Sequence, residues 1–368
     1  MRSLLIATAG LLAAPATAES ISMTSDRWEI EGSAGFETVD GRQALRLGAE
    51  PGQPRKGAQA TVKGLEFATG VIEFDMRLPN DREFSGPIFR QTDGGYGEIV
   101  YFRPHLNGKP DAIQYTPIVN NNLAWQIFTG PGFEAEVTYP LERWFHIRAD
   151  VYKTSATISM DGTPVLRVPD LKNGFKPGQF GFAALMGGTY FANLTVKPIA
   201  EYLDPEAIPQ LEPLAAGIVT TWKVSEALTQ DEGYSRAAQR NWTGLTWHPI
   251  KVESNGLANL SKAGPDSKAK HSFIARFNLR STSTKTVAME FGFSDRARIY
   301  VNGAPLYEGA DIQFSRDYRF LGHAGFWDTA FLPLKAGLNE IAFVVSDDTN
   351  GGTAAGARFG IELNASIE

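Results

Sequence analysis

Residues 70–78 read GVIEFDMRL, and this stretch decides the fold class because apolar and charged side chains alternate along it. Successive side chains of an extended chain point to opposite faces, so a period of two separates an apolar face from a polar one. The apolar face carries Ile72, Phe74, Met76 and Leu78. The charged face carries Glu73, Asp75 and Arg77. The pattern predicts a β-strand that covers a core on one side and meets water on the other.

The same alternation recurs further along the chain, in WFHIRADVY (residues 144–152), FGFAALM (180–186) and TYFANLTV (189–196). Asp161-Gly162 lies between two shorter runs, and this dipeptide favours the type I′ turn of a β-hairpin. No pattern of helical period separates these segments. Residues 19–198 are therefore predicted to form a sandwich of two antiparallel sheets.

Residues 197–217, KPIAEYLDPEAIPQLEPLAAG, hold four prolines and show neither strand alternation nor a continuous helical pattern. We expect a linker over residues 199–217. Residues 218–368 return to alternating strands, with Asn302-Gly303 as a second hairpin signal and residues 228–240 open to interpretation as a short helix or a polar loop. The chain is therefore predicted to be all-β, with two antiparallel β-sandwich (jelly-roll) domains joined by a proline-rich linker.

The first 18 residues, MRSLLIATAGLLAAPATA, combine a basic Arg2, an apolar run and small residues at Ala16 and Ala18, which is the pattern of a secretory signal peptide. We expect a secreted or periplasmic protein without a membrane anchor, because no later stretch approaches about 18 uninterrupted apolar residues. The chain has no cysteine, so no disulfide stabilises it. The formal net charge is −6 and no basic stripe occurs, so we expect no nucleic-acid partner.

Motifs for metal, phosphate and acyl-transfer chemistry are absent from the sequence. The five histidines form no His-x-His or Glu-x-x-His pair, and neither a G-x-S-x-G motif nor a phosphate-binding loop occurs. We therefore expect no metal site and no cofactor.

The densest mixture of polar and aromatic residues spans residues 90–128, RQTDGGYGEIVYFRPHLNGKPDAIQYTPIVNNNLAWQIF. Aromatic rings stack on the C–H face of a sugar, while amides and guanidinium groups match pairs of hydroxyls, so the composition predicts a carbohydrate-binding surface. Alternation places Ile99, Tyr101 and Arg103 on one side of a strand, and Glu98, Val100 and Phe102 on the other. The expected ligand-binding residues are Arg90, Tyr101, Arg103, His105, Gln114 and Trp125.

Structural roles compete with this interpretation. The alternative for Arg103 is an ion pair with Glu98 or Asp111 that fixes a loop. Burial in a core explains Trp125 equally well. Alternation allows only one of Gln114 and its neighbour to face a ligand.

Residues 28–196 resemble the concanavalin A-like lectin/glucanase superfamily, in particular its laminin-G-like and 3-keto-disaccharide-hydrolase-like bacterial secreted domains. The resemblance rests on GVIEFDM, PIFRQTDGGYGEIVYFRP, DAIQYTP, LAWQ, ERWFHIRADVY, MDGTPVL and GQFGFAALMGGTYFANLTV. Residues 220–363 resemble a galactose-binding-domain-like jelly roll, through FGFSDRARIYVNGAPLYEG, FLPLKAGLNEIAFVV and RFGIEL. The first resemblance implies a fold that serves lectins, hydrolases and adhesion modules alike.

The resemblance also implies where catalytic carboxylates would lie. Retaining glucanases of this superfamily carry an E-x-D-x-x-E arrangement on one strand. Glu73 and Asp75 supply its first half, but Leu78 stands at the next position of the motif. Glu98 and His105 remain as candidates for a catalytic base.

Three functional hypotheses follow from these patterns. The leading one is an exported protein that binds an oligo- or polysaccharide on the concave face of the first sandwich. The second is a carbohydrate-active enzyme, a glycoside hydrolase or lyase acting on a keto- or acidic saccharide. The third is an envelope module that binds a protein partner. The sequence leaves open whether the protein is an enzyme, and it favours binding without catalysis.

Overall fold

The computed structural model describes residues 17–48, 57–200, 202–205, 211–312, 315–317, 322–347, 352–360 and 365–367, the last of these through its backbone. Residues 1–16 of the predicted signal peptide lie outside the described residues, as do residues 201 and 206–210 of the predicted linker.

The strands are numbered in chain order. The first group comprises β1 (Glu19–Ile21), β2 (Trp28–Glu31), β3 (Ala34–Val39), β4 (Arg42–Leu47), β5 (Ala58–Phe67), β6 (Gly70–Arg77), β7 (Ser85–Thr92), β8 (Tyr96–Phe102), β9 (Ile113–Ile118), β10 (Glu134–Ala135), β11 (Trp144–Val151), β12 (Ala156–Met160), β13 (Thr163–Val168), β14 (Gly178–Ala184) and β15 (Thr189–Pro198). The second group comprises β16 (Thr221–Ser225), β17 (Trp247–Lys251), β18 (Ala258–Asn259), β19 (Ser272–Ser281), β20 (Lys285–Ser294), β21 (Arg296–Val301), β22 (Ala304–Ala310), β23 (Asp328–Leu334), β24 (Gly337–Ser346), β25 (Ala354–Phe359) and β26 (Ala365–Ile367). The helices are the 3-10 helices η1 (Ser25–Arg27), η2 (Pro104–Leu106), η3 (Trp125–Ile127) and η4 (Leu260–Ala263) and the α-helix α1 (Gln230–Gln239).

Antiparallel pairing arranges these strands in two sandwiches, which confirms the predicted fold class. In the first sandwich, sheet I has the order β13-β12-β11-β6-β15-β4-β3, with β1 also paired to β15. Its partner, sheet II, has the order β10-β9-β8-β7-β14-β5-β2. In the second sandwich, sheet III has the order β17-β16-β19-β24-β21-β22, with β26 also paired to β19, and sheet IV has the order β18-β25-β20-β23.

The core of the first sandwich contains the apolar face predicted for residues 70–78. Phe74 of β6 lies 4.9 Å from Phe182 of β14 between ring centroids, and Phe182 stacks on Phe191 of β15 at 4.1 Å. All three rings are fully buried, and burying each one stabilises the fold by about 2–3 kcal/mol. The alternation of apolar side chains on these strands therefore defines the space between sheets I and II.

Both predicted hairpins are confirmed. Asp161 and Gly162 connect β12 to β13 with φ of 46° and 82°, and Asn302 and Gly303 connect β21 to β22 with φ of 52° and 84°. Two successive positive φ values define the type I′ turn, which these dipeptides favour.

The segment that was open to two interpretations is helical. The Thr229 side chain accepts a hydrogen bond from the Glu232 backbone N–H at the first turn of α1, and Arg240 ends the helix with φ of 53°. Ala237 packs with Ile274 and Val344 on the outer face of sheet III. No helix within the described ranges has the length and apolarity needed to cross a membrane.

The two sandwiches pack against each other in a contact region that we call the junction. Leu257, Ala324 and Ala354 of the second sandwich belong to the same buried apolar cluster as the core of the first. The amide of Asn120 donates to the Ser261 carbonyl over 2.7 Å. The junction is therefore both apolar and hydrogen-bonded.

Gln126 forms side-chain and backbone hydrogen bonds across the junction. Its Nε2 donates to the Gly322 carbonyl over 3.1 Å, and its Oε1 accepts from the Ser294 hydroxyl. The Ala324 backbone N–H donates to the Gln126 carbonyl over 2.9 Å. Since Gln126 is 3% exposed, its amide serves the packing of the sandwiches.

We expect Gln126→Ala to lower the free energy of unfolding by about 1–3 kcal/mol, because buried partners lose their hydrogen bonds. Urea denaturation measures the change. Gln239→Ala, at an exposed position of α1, is the matched control and should change stability by less than about 0.5 kcal/mol. Equal effects of the two substitutions would show that the Gln126 bonds do not stabilise the junction.

Candidate functional site

Three of the predicted ligand-binding residues lie together, but beneath the surface. Tyr101, Arg103 and Gln114 are 2%, 3% and 0% exposed. The Tyr101 hydroxyl donates to Gln114 Oε1 over 2.5 Å, and the Arg103 guanidinium donates to the same oxygen. The prediction that these side chains project into an open groove is wrong.

The charge of Arg103 is balanced inside the protein. Its NH1 lies 2.9 Å from Asp111 Oδ2 and 3.7 Å from Glu134 Oε1, and Glu134 also contacts His323 Nε2 at 3.1 Å. Burial raises the pKa of Asp111, although the Arg103 charge opposes this shift. The alternative in which Arg103 pairs with Asp111 is therefore correct.

A later segment of the chain explains this burial. The Gln114 amide donates to the carbonyls of Trp125 and Phe128, at 2.9 and 2.6 Å, so residues 119–128 lie over the outer face of sheet II. Tyr101 shares a small apolar cluster with Ile99, as alternation predicted. Alternation assigned the side of the strand correctly, but it does not show that another segment covers that side.

Trp125 and His105 lie at the border of this buried cluster. The half-buried Trp125 ring faces the Arg103 guanidinium at 5.7 Å, and the exposed His105 has its ring 5.0 Å from that of Phe84. Partial desolvation, with the charges of Arg82 and Arg103, lowers the pKa of His105 to about 4. Its imidazole is therefore neutral near pH 7. Ligand contact by Trp125 and His105 stays a prediction.

Arg90 lies at the opposite end of sheet II. It is 2% exposed and occupies the left-handed region with φ of 54°, where the pairing of β7 with β8 shifts register. Its guanidinium donates to the carbonyls of Ala68 and Tyr152 at 2.8 and 2.6 Å. The expectation that Arg90 joins Arg103 on one open surface is therefore wrong, because its donors connect the loops of Ala68 and Tyr152.

Glu98, a candidate catalytic base, is also enclosed. It is 0% exposed, and its carboxylate accepts from the Tyr115 hydroxyl at 2.6 Å and from the Asn173 backbone N–H at 3.0 Å. Burial raises the pKa of Glu98 to about 7, although these two hydrogen bonds oppose the shift. His105 follows the other end of β8, whose last residue, Phe102, lies about 13 Å from Glu98 at ~3.3 Å per residue. The structure does not bring the two candidate bases together.

Glu73 and Asp75 lie on the outer face of sheet I. The His146 Nδ1 is 2.9 Å from Asp75 Oδ1, and the Asn193 amide donates to the other Asp75 oxygen over 2.7 Å. Arg148 lies 3.4 Å from Glu73. These cation and amide partners connect β6 to β11 and β15, so both acids have a role in holding the sheet together.

A cavity of about 380 Å³ opens at the end of sheet II, beside the second sandwich, and we call it the junction cavity. Its lining residues are Arg90, Thr92, Tyr96, Val119, Lys172, Asn173, Gly174, Lys176 and Lys262. The ring of Tyr96 is 39% exposed, whereas Val119 supplies a buried apolar wall. The cavity thus offers an accessible ring, amide and hydroxyl groups, and several cations.

Hydrogen bonds fix the loop that forms one wall of the junction cavity. The Asn173 side chain donates to the carbonyls of Gly97 and Ile118, at 2.5 and 2.9 Å. The Arg90 NH1 also lies 3.4 Å from the Gly174 carbonyl. Residues 172–174 are therefore attached to the ends of β7, β8 and β9 and do not form a free loop.

A buried carboxylate links the two sandwiches below this wall. Glu253 is 5% exposed; its Oε2 lies 3.3 Å from Lys172 Nζ, and its Oε1 pairs with Lys262. Lys172 also pairs with Asp170 at 2.7 Å. Burial lowers the pKa of Lys172, but the charges of Glu253 and Asp170 outweigh burial and raise it overall. Lys172 therefore stays charged at the wall of the cavity.

Sequence reasoning missed most of this cavity. No sequence pattern singled out residues 169–177, PDLKNGFKP, and Lys262 lies in a different sandwich. Tyr96 and Arg90 fell within the stretch of residues 90–128 that was singled out, but Tyr96 was not among the expected ligand-binding residues. Nothing in the chain order connects Lys262 with that stretch.

In the part of the chain that the structure describes, no group of three or more His, Cys, Asp or Glu side chains is arranged to hold a metal ion. The cations of the junction cavity are also unsuitable as metal ligands, because ammonium and guanidinium groups have no lone pair to donate. The chemistry of this cavity is therefore hydrogen bonding, ring stacking and charge recognition.

No protein-family model and no curated protein matches this chain. Solved structures that it resembles include carbohydrate-binding module CBM66 from Bacillus subtilis, which is 15% identical, with 45% of this chain and 92% of the module covered and a TM-score of 0.34. A prokaryotic β-1,3-1,4-glucanase (lichenase) from a mouse hindgut metagenome is 16% identical, with 50% and 100% covered and a TM-score of 0.36. The carbohydrate recognition domain of Emp46p is 15% identical, with 49% and 97% covered and a TM-score of 0.35. At these values the likeness supports no ligand or activity for this chain.

Proposed function

We propose that this protein is exported and binds an oligo- or polysaccharide in the junction cavity. The observation that carries the proposal is the cavity itself, whose volume of about 380 Å³ falls within the range of about 300–1,000 Å³ typical of small-molecule sites. The accessible Tyr96 ring can stack on a sugar, and Thr92 and Asn173 present polar groups beside it. This combination of an exposed ring with fixed polar groups suits a hydroxylated ring better than an apolar ligand.

The proposal changes the location of the predicted site. The central face of sheet II, with Tyr101 and Arg103, is buried, so we propose that the ligand contacts the end of that sheet instead. Arg90 keeps a role there because it lines the cavity and donates to the carbonyl of Gly174 in its wall. Export rests on the pattern of residues 1–18.

Binding is favoured over catalysis for two reasons. His105 is remote from the cavity, and Glu98, whose pKa of about 7 would suit a base, is enclosed below the cavity wall and does not line it. General base catalysis requires a group within hydrogen-bond reach of the substrate proton. The enzyme hypothesis therefore depends on Glu98 as the catalytic base, and Glu98 has no contact with the cavity.

We expect Tyr96→Ala to weaken glycan binding about tenfold, or about 1.4 kcal/mol, because the stacking ring is lost. A glycan panel read by direct binding and by the appearance of new reducing ends or unsaturated products identifies the ligand, and calorimetry then measures affinity. Tyr96 is exposed, so the variant should fold like the parent.

Tyr190→Ala is the matched control. Tyr190 is half-buried on β15, where its ring faces the Arg77 guanidinium at 5.7 Å on the outer face of sheet I. It should bind glycans like the parent. If Tyr190→Ala weakens binding and Tyr96→Ala does not, the saccharide site is on sheet I; if no glycan binds the parent, the proposed function is wrong.

A further inference from the structure

We propose that the junction cavity recognises an acidic saccharide, through the carboxylate of a uronic acid or through a sulfate ester, and that residues of both sandwiches bind this acidic group. This inference rests on the proposed saccharide site and adds the chemical class of the ligand. Among the described residues, the cavity is lined by four cationic side chains and by no acidic one. The whole chain, in contrast, has a formal net charge of −6, so the cations are concentrated locally.

The acids near the cavity act on three of its four cations. Glu253 and Asp170 neutralise two positive charges through their pairs with Lys172 and Lys262. Glu98 and Asp204 act on the charge of Arg90. Among the described residues, none of these four acids forms an ion pair with Lys176, so the charge of Lys176 stays without an acidic partner.

The uncompensated charge is at the opening of the cavity. Lys176 is exposed, and no ion pair is formed by its ammonium group with any residue in the described ranges. The guanidinium of Arg90 donates its hydrogen bonds to backbone carbonyls, which are uncharged and do not neutralise it. An anion entering the cavity would meet the exposed Lys176 first and the paired charges behind it.

The two walls come from different sandwiches. Lys172 and Lys176 belong to the loop between β13 and β14, and Lys262 belongs to η4 of the second sandwich. The carboxylate of Glu253 forms ion pairs with both Lys172 and Lys262, so the two ammonium groups lie close together. A carboxylate or sulfate group placed above this pair would accept charge-assisted hydrogen bonds from both walls. A neutral sugar would contact the Tyr96 ring and the Asn173 amide but would form no charge-assisted hydrogen bond with the lysines.

The test compares polymers that differ in charge. Polygalacturonate and its methyl ester form one pair, and dextran sulfate and dextran form the other; inorganic sulfate and phosphate represent free ions. We expect one of the acidic polymers to bind at least about tenfold more tightly than its uncharged counterpart at low salt, and the difference to shrink at high salt. The pair with the larger difference distinguishes carboxylate from sulfate recognition.

Two lysine variants locate the recognition. Lys176→Gln and Lys262→Gln should each weaken binding of the acidic polymer about five- to tenfold and leave the uncharged polymer unaffected. Lys223→Gln, at an exposed lysine of β16, removes the same net charge and should bind like the parent. Since Lys176 is exposed, its variant stays informative if loss of the Lys262–Glu253 pair perturbs folding.

Each contrary result has a distinct meaning. If charged and uncharged polymers bind equally and Tyr96→Ala weakens both, the acidic ligand is wrong while the saccharide site stands. If the lysine variants bind acidic polymers like the parent, the junction cavity does not bind the charged groups of the polymer. If free sulfate or phosphate binds as tightly as the polymers, the site recognises small anions and the acidic saccharide is excluded. If no polymer binds, the proposed function fails as well.

Discussion

Replacement of Arg103 by alanine is expected to lower the free energy of unfolding by about 3–5 kcal/mol, the cost of leaving buried charges without their partner. Asp111 and Glu134 both face this guanidinium, at 2.9 and 3.7 Å, and all three side chains are 3–4% exposed. Without Arg103, the two carboxylates would face each other in a poorly solvated environment, and Glu134 would keep its contacts with His323 and the Gly130 backbone N–H. Chemical denaturation at constant pH measures the loss.

Arg27→Ala is the control for the Arg103 substitution. Arg27 pairs with Glu19 at 2.7 Å, but the two side chains are 39% and 50% exposed, so the pair contributes about 0–1 kcal/mol. A loss for Arg103→Ala as small as that for Arg27→Ala would show that the Arg103 cluster is hydrated in solution. In that case the face of sheet II with Tyr101 would again be accessible to a ligand.

The second large effect is expected in the pH dependence of stability, and it depends on Glu98. Burial raises the pKa of Glu98 from 4.5 to about 7, so the folded chain binds this proton more tightly than the unfolded chain does. The resulting stabilisation is fully present below the pKa that Glu98 has in the unfolded chain, and it is lost as the pH rises through the pKa of Glu98 in the folded chain. The free energy of unfolding should therefore fall by about 3 kcal/mol between about pH 4 and pH 8.

Glu98→Gln should remove this contribution. Glutamine keeps an acceptor for the Asn173 N–H, and the Tyr115 oxygen can accept from the new amide. Across the stated pH range, the wild type should therefore lose about 3 kcal/mol more stability than the variant. Glu29→Gln, at an exposed position of β2, should follow the wild type. Parallel pH profiles of wild type and Glu98→Gln would mean that Glu98 is ionised in the fold at neutral pH.

Three polar residues of the stretch 90–128 show why composition is a poor guide to exposure. Asn120, Gln126 and Arg103 belong to the residue types that bind sugars, because amides and guanidinium groups satisfy several hydrogen-bonding partners at once. The same property suits a junction between two sandwiches, where backbone carbonyls must be paired away from water. The Asn120 and Gln126 side chains therefore bond to Ser261 and Gly322 of the second sandwich.

The amino-acid pattern was sufficient to predict the all-β class, the two hairpins and the core-facing side of residues 70–78. These features depend on neighbours within a few residues, through the alternation of side chains and the backbone preferences of Asp-Gly and Asn-Gly pairs. Which polar face stays open depends on how the folded chain packs. Residues 119–128 lie over Tyr101 and Arg103. Tyr96, Lys176 and Lys262 meet at a cavity, although they lie far apart in the chain. Burial and charge at such a site depend on long-range packing, which a local pattern does not encode.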